Sequence, residues 1–145
     1  MLQFFAVVLT ALALVPGGAH LFELPHKIAL TQHDYFTVQS IYRGWALFGA
    51  VIIAAIAANF AHAFIRFGCR RGFWASLTAG LILASTLFVF FEWTYPANQA
   101  TNNWTVMPSD WDGWRRQWEW SHAVNAALTF IALCCATLSA VLSRD

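Results

Sequence analysis

The sequence predicts an all-α integral membrane protein, a four-helix bundle with up-down topology, and three observations predict it. Of its 145 residues, 59% are hydrophobic and only 10% are charged, against about a quarter charged in a typical soluble domain. A soluble chain of single-domain length could not enclose that much apolar surface, so lipid must cover part of it. Four apolar stretches, residues 2–22, 44–65, 73–91 and 123–142, have no Lys or Arg in their interiors. Each approaches the roughly 20 helical residues that cross about 30 Å of hydrocarbon. The connections between them are too short for long crossovers, which leaves antiparallel neighbours.

The first stretch has a second reading as a secretory signal, since Gly17 and Ala19 suit a cleavage site just before His20. Against it, no positive charge precedes the apolar run. Segment 23–43 follows, punctuated by Pro25, with Thr37–Arg43 read as an extra turn leading into the second span. In that span Ala46, Ala50, Ala54 and Ala58 recur at every fourth residue, a row of small side chains predicted to admit a neighbouring helix closely. Ala132, Ala136 and Ala140 repeat the spacing in the fourth span.

Arg66, Arg70 and Arg71 crowd the turn between spans two and three, and Arg144 follows span four. Positive charge in short loops marks the cytoplasmic side. Both termini and that turn are therefore expected in the cytoplasm, with segments 23–43 and 92–114 outside. Pro96, Pro108 and Gly113 punctuate the second outer segment. Within it Ser109–Asp110, followed by Trp111 and Asp112, reads as a helix start with acids at the positive end of the dipole. The fourth helix should thus project beyond the membrane before entering it. Cys69, Cys134 and Cys135 form no disulfide framework and read as packing residues. A net charge of +1 without a basic run excludes a nucleic-acid partner.

Polar side chains gather at one face. His20 and Glu23 end the first span, Tyr42 and Arg43 begin the second, and Glu92, Tyr95 and Asn98 end the third. Arg115, Glu119 and His122 head the fourth at i, i+4 and i+7, one helical stripe that Asn125 and Thr129 extend. Ionisable groups at membrane depth usually face the bundle interior or a wet cavity. The stripe reads either as an interfacial Arg115–Glu119 ion pair beside a satisfied histidine, or as a site with Arg115 as anion clamp and His122 as acid or base. A third reading is metal: His20-x-x-Glu23 and Glu119-x-x-His122 each set two ligand types on one helical face, with Glu92 as a further carboxylate. Dinuclear carboxylate sites need four glutamates, and this chain has three, so a single iron or copper ion is the form considered. His26 and His33 read as solvated loop residues, and His62 as a partner for a neighbouring helix. Seven tryptophans (Trp45, Trp93, Trp104, Trp111, Trp114, Trp118, Trp120) fall toward this face and Trp74 toward the other. An interfacial belt accounts for most of them. Trp104, Trp111 and Trp118, with Tyr42 and Glu92, are the candidates to wall a pocket for a flat apolar ligand.

The run Tyr95–Pro96–Ala97–Asn98, then Trp104, Asp110–Trp111 and Trp114–Arg115–Arg116–Gln117–Trp118–Glu119–Trp120–Ser121–His122 resembles a widespread family of four-span membrane proteins of mostly unknown function that includes the fungal anthrone oxygenases. The family pattern is a Pro-x-Asn turn after span three and a Trp-x-x-x-His at the head of span four. Pro96–Ala97–Asn98 and Trp118–Glu119–Trp120–Ser121–His122 fit it. The chain departs from the oxygenases at Asn125, where they often carry arginine, and Ala19–His20–Leu21–Phe22–Glu23–Leu24–Pro25 looks like a bacterial branch, implying a bacterial inner membrane. The resemblance covers about Glu92 to Thr129. It implies the four-span fold and cofactor-free oxygenation of an anthrone-like carbon acid, with His122 as base, Arg115 and Asn98 as oxyanion partners, Glu119 in the same site and tryptophans as walls.

Three functions are therefore expected to compete. One is an oxygenase acting on a small hydrophobic, aromatic molecule at the outer face. Another is a non-enzymatic accessory subunit or lipid-binding module, in a larger membrane complex or a homo-oligomer. The last is an iron- or copper-binding membrane protein using His20, Glu23, Glu119 and His122.

Overall fold

A computed structural model describes residues 1–142 of the chain; Arg144, part of the charge argument above, lies outside them. Among the described residues six α-helices follow one another: α1 Leu2–Lys27, α2 Gln32–Gln39, α3 Phe48–Ile65, α4 Arg70–Val89, α5 Tyr95–Ala100 and α6 Trp111–Leu142. No strand occurs among the described residues. A π-helical turn, Phe90–Thr94, joins α4 to α5, so the third long helix runs unbroken over Arg70–Ala100. Four helical segments, beginning at Leu2, Trp45, Arg70 and Trp111, are long and apolar enough to cross a membrane. They pack in a ring, each against its neighbour in sequence, with α6 closing on α1. The protein is an all-α, four-span integral membrane bundle in contact with lipid.

Its packing is small inside and large outside, as expected where lipid removes the hydrophobic drive between helices. Ala6, Ala13, Ala55, Ala79, Ala132 and Ala136 are buried, while Phe4, Phe22, Phe64, Phe88 and Phe130 are exposed to the surroundings. Gly17 lets α1 approach α6 closely: a Cβ there would stand 3.3 Å from the Ala126 Cα, tighter than ordinary van der Waals contact. Hydroxyls and one histidine then pin the seams. Asn59 Nδ2 donates to Thr10 Oγ1 at 3.0 Å, tying α3 to α1. His62 meets Ser76 at 2.8 Å and Ser76 meets Ser139 at 2.7 Å, linking α3, α4 and α6 at the other end. His62 thus bonds a neighbouring helix, as its position in the sequence suggested.

Several expectations are corrected. Ala46, Ala50 and Ala54 are exposed; the buried row of α3 is Ala55, Ala58, Asn59 and His62. A strict four-residue row drifts by about 40° per step on a helix of 3.6 residues per turn, so it cannot hold one face, whereas alternating steps of three and four can. In α6, Ala132 and Ala136 are buried and Ala140 partly so. Pro16 and Pro25 do not end α1, which runs five residues past the expected boundary at 22. Lys27 holds that last turn by bonding back to Glu23 and His20. Pro96 does not end the third helix either. The π turn just before it relieves the clash a proline ring makes with the carbonyl four residues back. Thr37–Arg43 is no lead-in to span two, because α2 is a separate helix and the chain turns at Gly44, φ 86°. Helix α6 does begin at Trp111, directly after Ser109–Asp110.

Candidate functional site

The polar face predicted at one end of the bundle is organised around a residue the sequence did not single out. Lys27, 3% exposed, carries its ammonium into the space between α1 and α6. Its Nζ lies 3.1 Å from Glu119 Oε1, 3.2 Å from His20 Nδ1 and 3.5 Å from Glu23 Oε2. An ammonium has three N–H donors and no acceptor, so all three are directed at acceptors. His20 Nδ1 must then accept, which puts the proton of its neutral ring on Nε2. The Tyr42 and Trp118 rings complete the enclosure, their centroids 4.8 and 5.1 Å from Nζ.

Glu119 is fully buried, 0% exposed. Its Oε1 also accepts from Tyr35 Oη at 2.9 Å, while its Oε2 has no partner. Tyr35 comes from α2, so this short helix is docked on the bundle through the same carboxylate. Glu23 accepts from the Tyr42 hydroxyl. Both phenols lie outside the spans and both ionise well above the ordinary value of about 10. For Tyr35 burial is the main cause, followed by the Glu119 charge; for Tyr42 it is burial and then the Glu23 carboxylate.

His20 and His122 face each other with ring centroids 4.3 Å apart. His122, half-buried, also packs edge-on to Trp118 at 4.2 Å, and His20 packs at a tilt against Tyr42 at 4.5 Å. Residues from α1, α6 and the 28–47 connection thus bring two imidazoles, an ammonium, two carboxylates and two phenols into one aromatic-walled cluster. The cluster can exchange protons among its members and can stabilise a small negative charge.

The predicted site residues divide accordingly. His20, Glu23, Glu119, His122, Tyr42 and Trp118 join the cluster. Arg115 does not pair with Glu119: it donates to the Leu30 carbonyl at 2.9 Å, pairs with Asp112 and lies over the Trp111 ring at 4.5 Å. It fastens the turn after α1 to α6. Asn98 accepts from Trp118 Nε1 at 2.8 Å, which orients that indole. Trp104 is buried in a core with Tyr35, Ala97 and Trp118, against which Trp111 packs. Glu92 is exposed in the π turn and does not join. Trp93, Trp120 and Trp74 are exposed, as an interfacial belt requires.

A metal held by His20, Glu23, Glu119 and His122 does not fit this donor set. The Lys27 cation stands among those ligands. Among the described residues no three His, Cys, Asp or Glu side chains gather as a metal site.

Lys27 and Tyr35 are the residues sequence reasoning missed. Lys27 stands four residues after Glu23 and seven after His20, one continuing helical face, and that spacing was a readable signal. Pro25 concealed it by suggesting that the helix had stopped. Nothing in sequence marks Tyr35, which reaches Glu119 across 84 positions.

Two cavities lie near the cluster without containing its histidines. One, of about 240 Å³, is lined by Phe36, Gln39, Arg43, Trp104 and their neighbours. The other, about 320 Å³ and almost wholly apolar, lies between the end of α4 with its π turn and α6, beside Trp93 and Trp120. Trp104 is held at φ 63°, after Asn102 at 45° and Asn103 at 53°. Three successive left-handed residues cost of order 1–3 kcal/mol each. Backbone bonds from Asn103 N to Asn98 O at 2.7 Å and from Thr105 N to Thr101 O at 3.0 Å hold the turn.

No known family model, characterised protein or solved structure matches the chain. Fold and membrane placement therefore rest on the chain's own residues, and its function on the chemistry of this cluster.

Proposed function

We propose that this four-span membrane protein is an oxygenase-like enzyme acting on a small hydrophobic aromatic carbon acid of the anthrone type. The observation that carries the reading is the Lys27 ammonium, 3.1 Å from Glu119 and 3.2 Å from His20, beside the closely packed His20–His122 pair. Such a substrate has a CH₂ group made acidic by conjugation with a ketone. His122 takes a proton from that carbon, and Lys27 donates to the enolate oxygen. The cation thus replaces Arg115 and Asn98, which are engaged elsewhere, in the role the resemblance gave them. Glu23, whose side chain is 39% exposed against 0% for Glu119, is the partner the substrate oxygen displaces. Glu119 is a positioning residue that keeps Lys27 in place. Dioxygen accepts the electrons of the carbanion: the CH₂ carbon becomes a second carbonyl, and the other oxygen atom leaves as water with the two hydrogens. Preorganised donors aimed at a developing oxyanion commonly supply about 3–4 kcal/mol of such a barrier.

The test is oxygen uptake by the purified protein with anthrone, corrected for autoxidation in protein-free membranes. Uptake should fall at least a hundredfold in His122→Ala and Lys27→Met and persist in Tyr95→Phe. Rates indistinguishable from autoxidation, or unchanged in both variants, overturn the reading. We place the protein in a bacterial inner membrane with both termini in the cytoplasm.

A second reading, an accessory subunit or self-associating module, is favoured by the small exposed side chains Ala50, Ala54 and Ala57 of α3, which another helix could approach closely. Recovery of one defined second chain, or of a discrete oligomer, in mild detergent supports it. A lone monomer counts against it.

A further inference from the structure

We infer that the cavity between α2 and the 102–105 turn is a docking site for a carboxylated or phenolic aromatic molecule, the entry station of the Lys27 cluster. This deepens the proposed function, on which it rests for the fate of the ligand. The cavity, about 240 Å³, is below the usual range for drug-sized ligands, about 300–1,000 Å³, and suits two or three fused rings. Its lining pairs flat apolar walls with polar groups. Phe36 and Trp104 form an apolar corner, their rings packed edge to face with centroids 5.6 Å apart. Ser40, Asn103 and Thr105 add hydroxyl and amide groups, and Arg43 brings the lining's one formal charge.

Two further observations point to a ligand. Gln39 and Trp104, 6% and 7% exposed, both line the cavity. Gln39 Oε1, Gln39 Nε2 and Trp104 Nε1 have no hydrogen-bond partner. Buried polar atoms without partners are rare, and each asks for an explanation. Here one is an acceptor and two are donors, so a hydroxyl that donates together with a carboxylate that accepts twice would complete all three, with Arg43 as counter-ion. The position is equally informative. Trp104 is the shared wall: its ring meets Trp118 at 5.7 Å on one side, and Trp118 meets His122 at 4.2 Å. A molecule seated against Trp104 is thus two aromatic rings from the candidate base, and Trp104 occupies the strained left-handed turn described above.

The experiment titrates protein in nanodiscs of zwitterionic lipid with 1-hydroxy-2-naphthoate, followed by its own fluorescence. Naphthalene and inorganic phosphate are tested as competitors. Saturable binding is expected, weakened at least tenfold in Arg43→Gln, which is exposed and should not disturb folding. Trp104→Phe, which keeps an aromatic ring and removes the N–H, should weaken it several-fold. Binding unchanged in both variants overturns the site. Competition by phosphate at equal affinity also overturns it, leaving an anion or lipid-headgroup site, and equal binding of naphthalene leaves a merely greasy surface. His122→Ala should bind the probe as the wild type does. Intact binding with no oxygen uptake would refute the oxygenase reading alone, whereas uptake without probe binding would refute the docking site alone.

Discussion

Replacing Lys27 by methionine should destabilise the bundle more than any other single change at the cluster. The substitution keeps most of the side-chain volume, so the loss is electrostatic. Three contacts vanish: 3.1 Å to Glu119, 3.2 Å to His20 and 3.5 Å to Glu23. The stranded partner that matters is Glu119, fully buried and left with only the Tyr35 hydroxyl at 2.9 Å. Removing one member of a buried ion pair typically costs about 3–5 kcal/mol, because the remaining charge loses its counter-charge without regaining water. The surviving Tyr35 bond places Lys27→Met near the lower end, about 3 kcal/mol. Glu119→Gln should cost less, about 1–2 kcal/mol, since Lys27 keeps Glu23 and His20 as acceptors. The double variant removes both charges together and should come close to Glu119→Gln alone, a coupling of about 3 kcal/mol. Thermal unfolding in nanodiscs reads the difference as a shift of roughly 6–12 °C for Lys27→Met, and steric trapping gives the free energies directly. If Glu119→Gln proves the more damaging, or the double variant equals the sum of the singles, Lys27 is not the counter-charge of a buried carboxylate and the reasoning fails.

Gly17→Val should lower stability by about 1–3 kcal/mol, because even a Cβ there stands 3.3 Å from the Ala126 backbone; Gly18→Val, with nothing within 4 Å of its Cβ position, should be nearly silent in the same assay. Tyr35 and Tyr42 should remain phenols at pH 11, so the phenolate band should reach at most one third of the amplitude expected for the three tyrosines. Their folded ionisation points are raised, so the stability they contribute is complete below about pH 10 and declines as pH rises beyond it. Ionisation of all three by pH 11 in folded protein would mean that the two phenols are not enclosed with their carboxylates.

Composition and hydropathy determined the class of this protein, because a chain so apolar has only the bilayer to cover it and only helices to satisfy its backbone there. They located the four long helices, the small-residue seams of α6, the start of α6 at Trp111 and the end of the bundle where ionisable side chains collect. Periodicity also put Arg115, Glu119 and His122 on one stripe of α6. Partners were beyond its reach. Which charge faces Glu119 depends on how α1 lies against α6, and that is set by the Gly17–Ala126 contact and by a helix that continues through Pro25. Sequence offered Arg115, four residues away on the same helix; the tertiary structure chose Lys27 on another helix and turned Arg115 to Leu30 and Asp112. The physical reason is general. Pattern along a chain fixes which faces are apolar and which are polar, since both follow from local geometry and solvent. Pairing between helices depends on their rotation and depth against one another, and only packing decides those.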